Sequence, residues 1–192
     1  MQKTSLKLRS FVTIAMLGSM AAVLLMLNFP IPALFPAFLQ VDFSDVPALI
    51  AVLTMGPVAG ILVELIKNVL DWIMMGAPTG VPVGQMANFS TGVLFILPVY
   101  YVFKKFPSAK GLMGGLVIGT LSMAVGMAIL NYIAFIPMYA HFMGFQMDAY
   151  ETIVLGILPF NIVKGVMLFA IMVVLFRTMQ TWIHSQRAQY LS

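Results

Sequence analysis

The sequence predicts an all-α integral membrane bundle of six transmembrane helices with both termini on the cytoplasmic side. Three observations carry this. Apolar residues make up 61% of the chain and charged residues 8%, with a mean hydropathy of +1.03, which leaves too little polar surface for a soluble globule. Long uncharged runs recur at lengths that suit a bilayer. Apart from Lys67 and Lys164, the basic residues gather in three groups: Lys3, Lys7 and Arg9; Lys104, Lys105 and Lys110; Arg177 and Arg187. Only an even number of crossings between groups keeps all three on the cytoplasmic side.

Helix 1 is expected over 10–27. Phe11 to Leu27 is uncharged and, at ~1.5 Å per residue, crosses ~30 Å of hydrocarbon obliquely. No small-residue cleavage site followed by a soluble domain appears, so it reads as a retained helix and not a signal peptide. Small residues recur at four-residue spacing, Ala15 to Ser19 and Gly18 to Ala22, thinning a ridge for close helix approach. That ridge serves either internal packing or the docking of a partner.

A gating loop is expected over 29–43. The lead-in Phe29-Pro30-Ile31-Pro32, with Pro36, keeps the chain extended. Phe38, Leu39, Val41 and Phe43 then alternate with Gln40, Asp42 and Asp45, where an ordinary connection carries only polar residues. The apolar side chains would plug a cavity while the polar ones face a ligand or water. The plainer reading is a half-buried loop whose Asp45 caps the next helix. The two roles are compatible.

Ser44 to Met75 as one helix would extend ~48 Å, more than one span needs. Gly56-Pro57 predicts a reversal, which gives helix 2 over 44–55 and helix 3 over 57–75. The parity of the basic groups requires the same split. Gly76 to Gly84 is turn-forming, helix 4 follows over 85–103, and a glycine-rich helix 5 over 111–136. Pro137 to Thr152, with His141, Gln146, Asp148 and Glu151, reads as an external loop. Helix 6 is expected over 159–177, followed by an amphipathic tail.

Ionisable groups inside spans need a partner or a function. Glu64, Lys67, Asn68 and Asp71 share one stripe of helix 3, where Glu64–Lys67 and Lys67–Asp71 are possible pairs. The stripe is either an internal ladder or the wall of a cavity. Asn88, Asn131, Asn161 and Lys164 fall at a similar outer depth, with almost wholly apolar sequence beneath. This describes a pocket open to the outside without a conduit. Trp72, Phe89, Tyr132, Phe135 and Tyr139 lie at the same level and suit either a flat apolar ring or the usual interfacial belt. External acidic groups outnumber the embedded lysines, which favours a neutral ligand.

Other classes are poorly supported. The chain has no cysteine and only two histidines, His141 and His184, so neither a metal site nor a catalytic triad is expected. Glu64 and Asp71 stand ~10 Å apart along a helix, too far to share a reaction centre, and no catalytic residue is assigned. The net charge of +4 belongs to membrane orientation and not to nucleic acid. No Gly-x-x-x-x-Gly-Lys-Ser/Thr loop is present, so ATP chemistry would occur in another chain.

The whole chain resembles the substrate-binding S components of energy-coupling-factor (ECF) vitamin transporters, and among them the riboflavin-specific members. The resemblance is carried by Leu39 to Pro47, Gly56-Pro57 before Glu64-Leu65-Ile66-Lys67-Asn68, Gly84-Gln85-Met86-Ala87-Asn88-Phe89, and Pro159-Phe160-Asn161-Ile162-Val163-Lys164-Gly165. It implies that the loop after helix 1 gates the pocket and that Asn131 and Lys164 hydrogen-bond the polar edge of the isoalloxazine ring. Asp42, Asn88 and Asn161 follow more loosely, for the ring edge or the ribityl hydroxyls. The expected binding set is Leu39, Gln40, Val41, Asp42, Phe43, Lys67, Asn88, Asn131, Asn161 and Lys164.

The family usually has glutamate where this chain has Gln85, so a role needing charge there does not carry over. Its docking signature, two alanines four apart on helix 1, appears here as Ala15 to Ser19 or Gly18 to Ala22. The implied partners are riboflavin, a transmembrane coupling subunit and two ATP-hydrolysing subunits in a bacterial-type plasma membrane, with riboflavin as cargo and no cofactor. The alternatives are an S component for another vitamin, or a stand-alone secondary carrier using Glu64, Lys67 and Asp71 as an ion relay.

Overall fold

The computed structural model describes residues 2–36, 39–77, 80–144 and 148–191. Phe38 of the expected lid, Pro78 and Thr79 of the expected turn and Gln146 of the expected external loop lie outside the described residues. The helices are α1 (Gln2–Met26), α2 (Asp45–Met55), α3 (Pro57–Met75), α4 (Val83–Lys105), α5 (Ala109–Leu130), α6 (Ile136–Met143), α7 (Ala149–Glu151) and α8 (Leu158–Leu191). A π-helical turn, Asn131–Phe135, joins α5 to α6, and another, Thr152–Ile157, joins α7 to α8. The described chain therefore forms six helical rods, as the sequence predicts.

Several boundaries differ from expectation, and the first rod already begins at Gln2, eight residues before the expected 10. The fifth rod does not end at 136: Pro137 sits in the first turn of α6, where its missing N–H costs least, and the helix continues to Met143. The sixth rod begins at Ala149, ahead of Pro159, and runs without a break through the expected tail. Each proline is the second residue after a π-helical turn, whose wider spacing takes up the irregularity. The loop after α1 also departs from all-α: β1 (Phe29–Pro30) pairs antiparallel with β2 (Gln40–Val41), Phe29 opposite Val41. The pairing folds the loop back across the bundle mouth.

Among the described residues, four segments are long and apolar enough to cross a membrane: Leu8–Met26, Val83–Lys105, Ala109–Met143 and Ala149–Tyr190. The short α2 is different. Its 11 residues rise about 17 Å, and every residue from Asp45 to Thr54 is buried among α1, α3, α4 and α8. It is the core around which the longer rods pack. Gly56, with φ 94° and ψ 179°, takes an extended positive-φ conformation that glycine tolerates and that reverses the chain, and Pro57 opens α3.

Two contacts fix the ends. Arg187 Nη1 donates to the Leu53 carbonyl at 3.1 Å, and its guanidinium stacks over Tyr100 and Phe103. The C-terminal ends of α2, α4 and α8 thus meet at one end. At the other, Gln85 Nε2 donates to Asp71 at 2.8 Å and to the Gly76 carbonyl at 3.1 Å, closing the turn between α3 and α4.

Small residues decide where helices touch. A Cβ on Gly119 would lie 2.7 Å from the Phe95 carbonyl and one on Gly115 3.0 Å from the Val99 carbonyl, so the glycines of α5 let α4 come close. On α1 the two small-residue pairs separate. Gly18 packs on Ile66 of α3, where a Cβ would approach to 2.6 Å, and Ala22 is buried. Ala15 and Ser19 are exposed. Of the two readings of this ridge, Gly18 and Ala22 take internal packing, because their side of α1 faces the core.

Candidate functional site

The site grows from the loop after α1 and the buried lysines. β2 carries Gln40 and Val41 to Asp42, which accepts hydrogen bonds from the backbone N–H of Ser44 at 2.9 Å and from the Ser44 hydroxyl. This Asx-type turn aims the Asp42 carboxylate inward. Its second oxygen, Oδ2, lies 3.1 Å from Lys164 Nζ on α8. Lys164 also lies 3.0 Å from Asp45 Oδ2 at the start of α2. Asp45 Oδ1 accepts from Lys67 Nζ at 2.7 Å, and Lys67 pairs with Glu64 at 2.6 Å.

Five ionisable side chains from the loop, α2, α3 and α8 thus form one buried cluster. Burial makes each charge dependent on its neighbours, since an unpaired ion in hydrocarbon costs several kcal/mol. Three sequence expectations change here. Lys67 pairs with Glu64, as one possible pairing had it, but its second partner is Asp45; Asp71 instead takes Gln85. Asp45 caps no backbone N–H and does not face water: it is fully buried between two lysines. Lys67 is likewise wholly enclosed and lies in the network, away from the hollows described next.

Two adjoining hollows open beside this cluster, sharing Gln40, Gly84 and Asn88. The first, about 150 Å³, has apolar walls from Leu39, Ala87, Met127, Ile157 and Phe160, with Asn131, Asn161, Lys164 and Tyr139 presenting polar atoms. The second, about 210 Å³, is lined by Asn28, Asp42, Asn68, Asp71 and Gln85 besides the shared residues. Together they approach the size of a small-molecule pocket. Asn131 and Asn161 each donate to the carbonyl one turn back, Met127 and Ile157, both at 2.8 Å. Asn68 does the same to Glu64, and its Oδ1, like Asn88 Oδ1, is buried without a hydrogen-bond partner among the described residues. Unsatisfied acceptors of this kind are rare in native interiors and suit a donor that arrives with a ligand.

Of the ten expected binding residues, Leu39, Gln40, Asp42, Asn88, Asn131, Asn161 and Lys164 line the hollows. Val41, Phe43 and Lys67 do not. Val41 is sealed against Phe35 and Phe160, and Phe43 packs on the core with its ring 6.3 Å from that of Phe29. Strand alternation explains this: Gln40 and Val41 point to opposite faces, so the polar member looks into the cavity and the apolar one anchors the loop. Among the expected aromatics, Tyr139 lines the pocket and Phe135 is buried, while Trp72 and Tyr132 are exposed on the outside of the bundle. Asn68 and Asp71 were recognisable as intramembrane polar groups, but only the fold turns them, with Gln85, toward one hollow. Asp45 was the harder residue to place. The signal was arithmetic: Lys164 has no acidic partner on its own helix, so a carboxylate had to come from elsewhere.

A family profile described as the substrate-specific component of ECF transporters matches residues 9–176. The chain belongs to this family. Among its relatives, this S component is 48% identical over 190 residues to the riboflavin transporter FmnP of Bacillus subtilis (strain 168), covering 97% of this chain and all of that one. It is 41% identical to the riboflavin transporter RibU of Staphylococcus aureus (strain TCH60), covering 91% and 92% of the two chains. It also superposes, with TM-score 0.79 and 40% identity over 92% of its length and 98% of the other chain, on a solved S component of a bacterial ECF transporter. The S component is therefore a multi-pass membrane protein of a transport system, in keeping with its apolar helices.

Proposed function

We propose that this S component binds riboflavin in the two joined hollows and hands it to a transmembrane coupling subunit powered by two ATP-hydrolysing subunits. The observation that carries the reading is the division of the pocket. A hollow with apolar walls and a polar rim suits the isoalloxazine ring, with Asn131, Asn161 and Lys164 meeting its heteroatom edge. The adjoining hollow, rich in amides, suits the ribityl hydroxyls. Asp42 and Asp71 line that second hollow and, among the described residues, no lysine or arginine does, so a phosphate on the end of the chain would meet repulsion. The names of the relatives at 48% and 41% identity support the same ligand.

In this reading residues 29–43 are the gate, held shut by the Asp42–Lys164 pair. The three basic groups and both termini face the cytoplasm, and the hollows open outward. The exposed Ala15 and Ser19 present the thin ridge to the coupling subunit. The test is an absorbance spectrum and a flavin titration of the purified protein. Tight binding of riboflavin, with no uptake by vesicles containing this chain alone, is the expected result. Failure to bind any flavin, or ATP-independent uptake by the chain alone, would overturn it.

A further inference from the structure

We infer that Asp45 is a positioning residue that holds the Lys164 ammonium in place when Asp42 moves away with the gate. The inference rests on the reading of residues 29–43 as a gate over a flavin pocket. Its starting point is that Lys164, buried on α8, has two carboxylate partners at nearly equal distance, Asp42 at 3.1 Å and Asp45 at 3.0 Å. The two are anchored differently. Asp42 belongs to the connection between β2 and α2 and is held there by Ser44. Asp45 begins the buried core helix, and its other oxygen is held by Lys67 at 2.7 Å.

The anchorage extends further. Lys67 is paired with Glu64, and Glu64 occupies the space that Gly92 leaves on α4, where any Cβ would overlap its carboxylate. Asp45 is thus fixed from α3 and α4 and cannot follow the loop. If Asp42 were the sole counter-ion, opening the gate would leave the buried ammonium with neutral amides and no carboxylate, and that cost would hold the gate closed. With Asp45 as a second counter-ion the lysine stays compensated and aimed at the pocket in both gate positions. The glycine, the glutamate and the second lysine then have one common purpose, which is to keep Asp45 where Lys164 needs it.

Asp42 and Asp45 therefore have opposite kinetic signatures. In Asp45→Asn, Lys164 depends on Asp42 alone, so the gate opens less often and riboflavin association should slow by about tenfold or more. In Asp42→Asn the gate loses its tie while Lys164 keeps Asp45, so dissociation should quicken by about tenfold without slower association. Stopped-flow flavin fluorescence on the purified wild type, Asp45→Asn, Asp42→Asn, Lys164→Gln and Lys164→Gln/Asp45→Asn tests this. In the Lys164→Gln background, Asp45→Asn should change association by less than about twofold, because the residue acts through the lysine.

Unchanged association in folded Asp45→Asn, or a slowing that persists without Lys164, overturns the inference. Should Lys164→Gln abolish binding, the opposed effects of the two single aspartate variants decide it. Wild-type binding by Lys164→Gln would instead overturn the pocket assignment, so the two failures are distinguishable. If Asp45→Asn does not fold, Asp45→Asn/Lys67→Met, which leaves the formal charge of the cluster unchanged, takes its place with the same expectations.

Discussion

Lys164 Nζ on α8 lies 3.1 Å from Asp42 Oδ2 in the loop after α1, a contact that spans 122 residues of sequence. It ties the connection between β2 and α2 to α8 beside the first hollow, which Lys164 lines. Lys164→Met should lower riboflavin affinity about 10- to 100-fold, corresponding to roughly 1.4–3 kcal/mol for a hydrogen bond to a charged group. Fluorescence titration measures the loss, and gel filtration with circular dichroism checks that the bundle is intact. Wild-type affinity in a folded variant would remove Lys164 from the site.

Gly92 gives room to Glu64. Placing a methyl group there, in Gly92→Ala, pushes against a carboxylate pinned by Lys67, and overpacking of this kind costs about 1–3 kcal/mol. The variant should melt several degrees lower in detergent. An unchanged Tm would mean that Glu64 has space to move.

The ridge of α1 should divide by face. Gly18→Trp drives a large ring into Ile66 and should fail to give a stable bundle. Ala15→Trp and Ser19→Trp lie on the exposed side, so they should bind riboflavin normally and lose the coupling subunit in pull-down assays. Recovery of the full complex with both exposed tryptophans would remove this face from docking.

Arg187 ties the end of α8 to α2 far from the pocket. Arg187→Ala gives up the hydrogen bond to the Leu53 carbonyl and the stacking on Tyr100 and Phe103, which should cost about 1–3 kcal/mol of stability. Riboflavin affinity should stay within about twofold, since none of these groups lines the hollows. A large affinity loss at unchanged Tm would contradict this division of labour.

Much was legible in the chain itself, for reasons that are local. Apolar run lengths set the rods, Gly56-Pro57 marked the reversal before α3, and the stranded polarity of Asn88, Asn131, Asn161 and Lys164 marked the pocket, because hydrocarbon makes every polar group conspicuous. The prolines at 137 and 159 misled, since a π-helical turn lets a helix continue past them. The tertiary structure alone chose between equivalent local options: which small residues of α1 face inward, which carboxylate answers each lysine, and which residues of the β2 segment look into the cavity. Charge pairing and packing act over a few ångströms of space regardless of separation in sequence, so Asp45 could only be matched to Lys164 once α2 and α8 lay side by side.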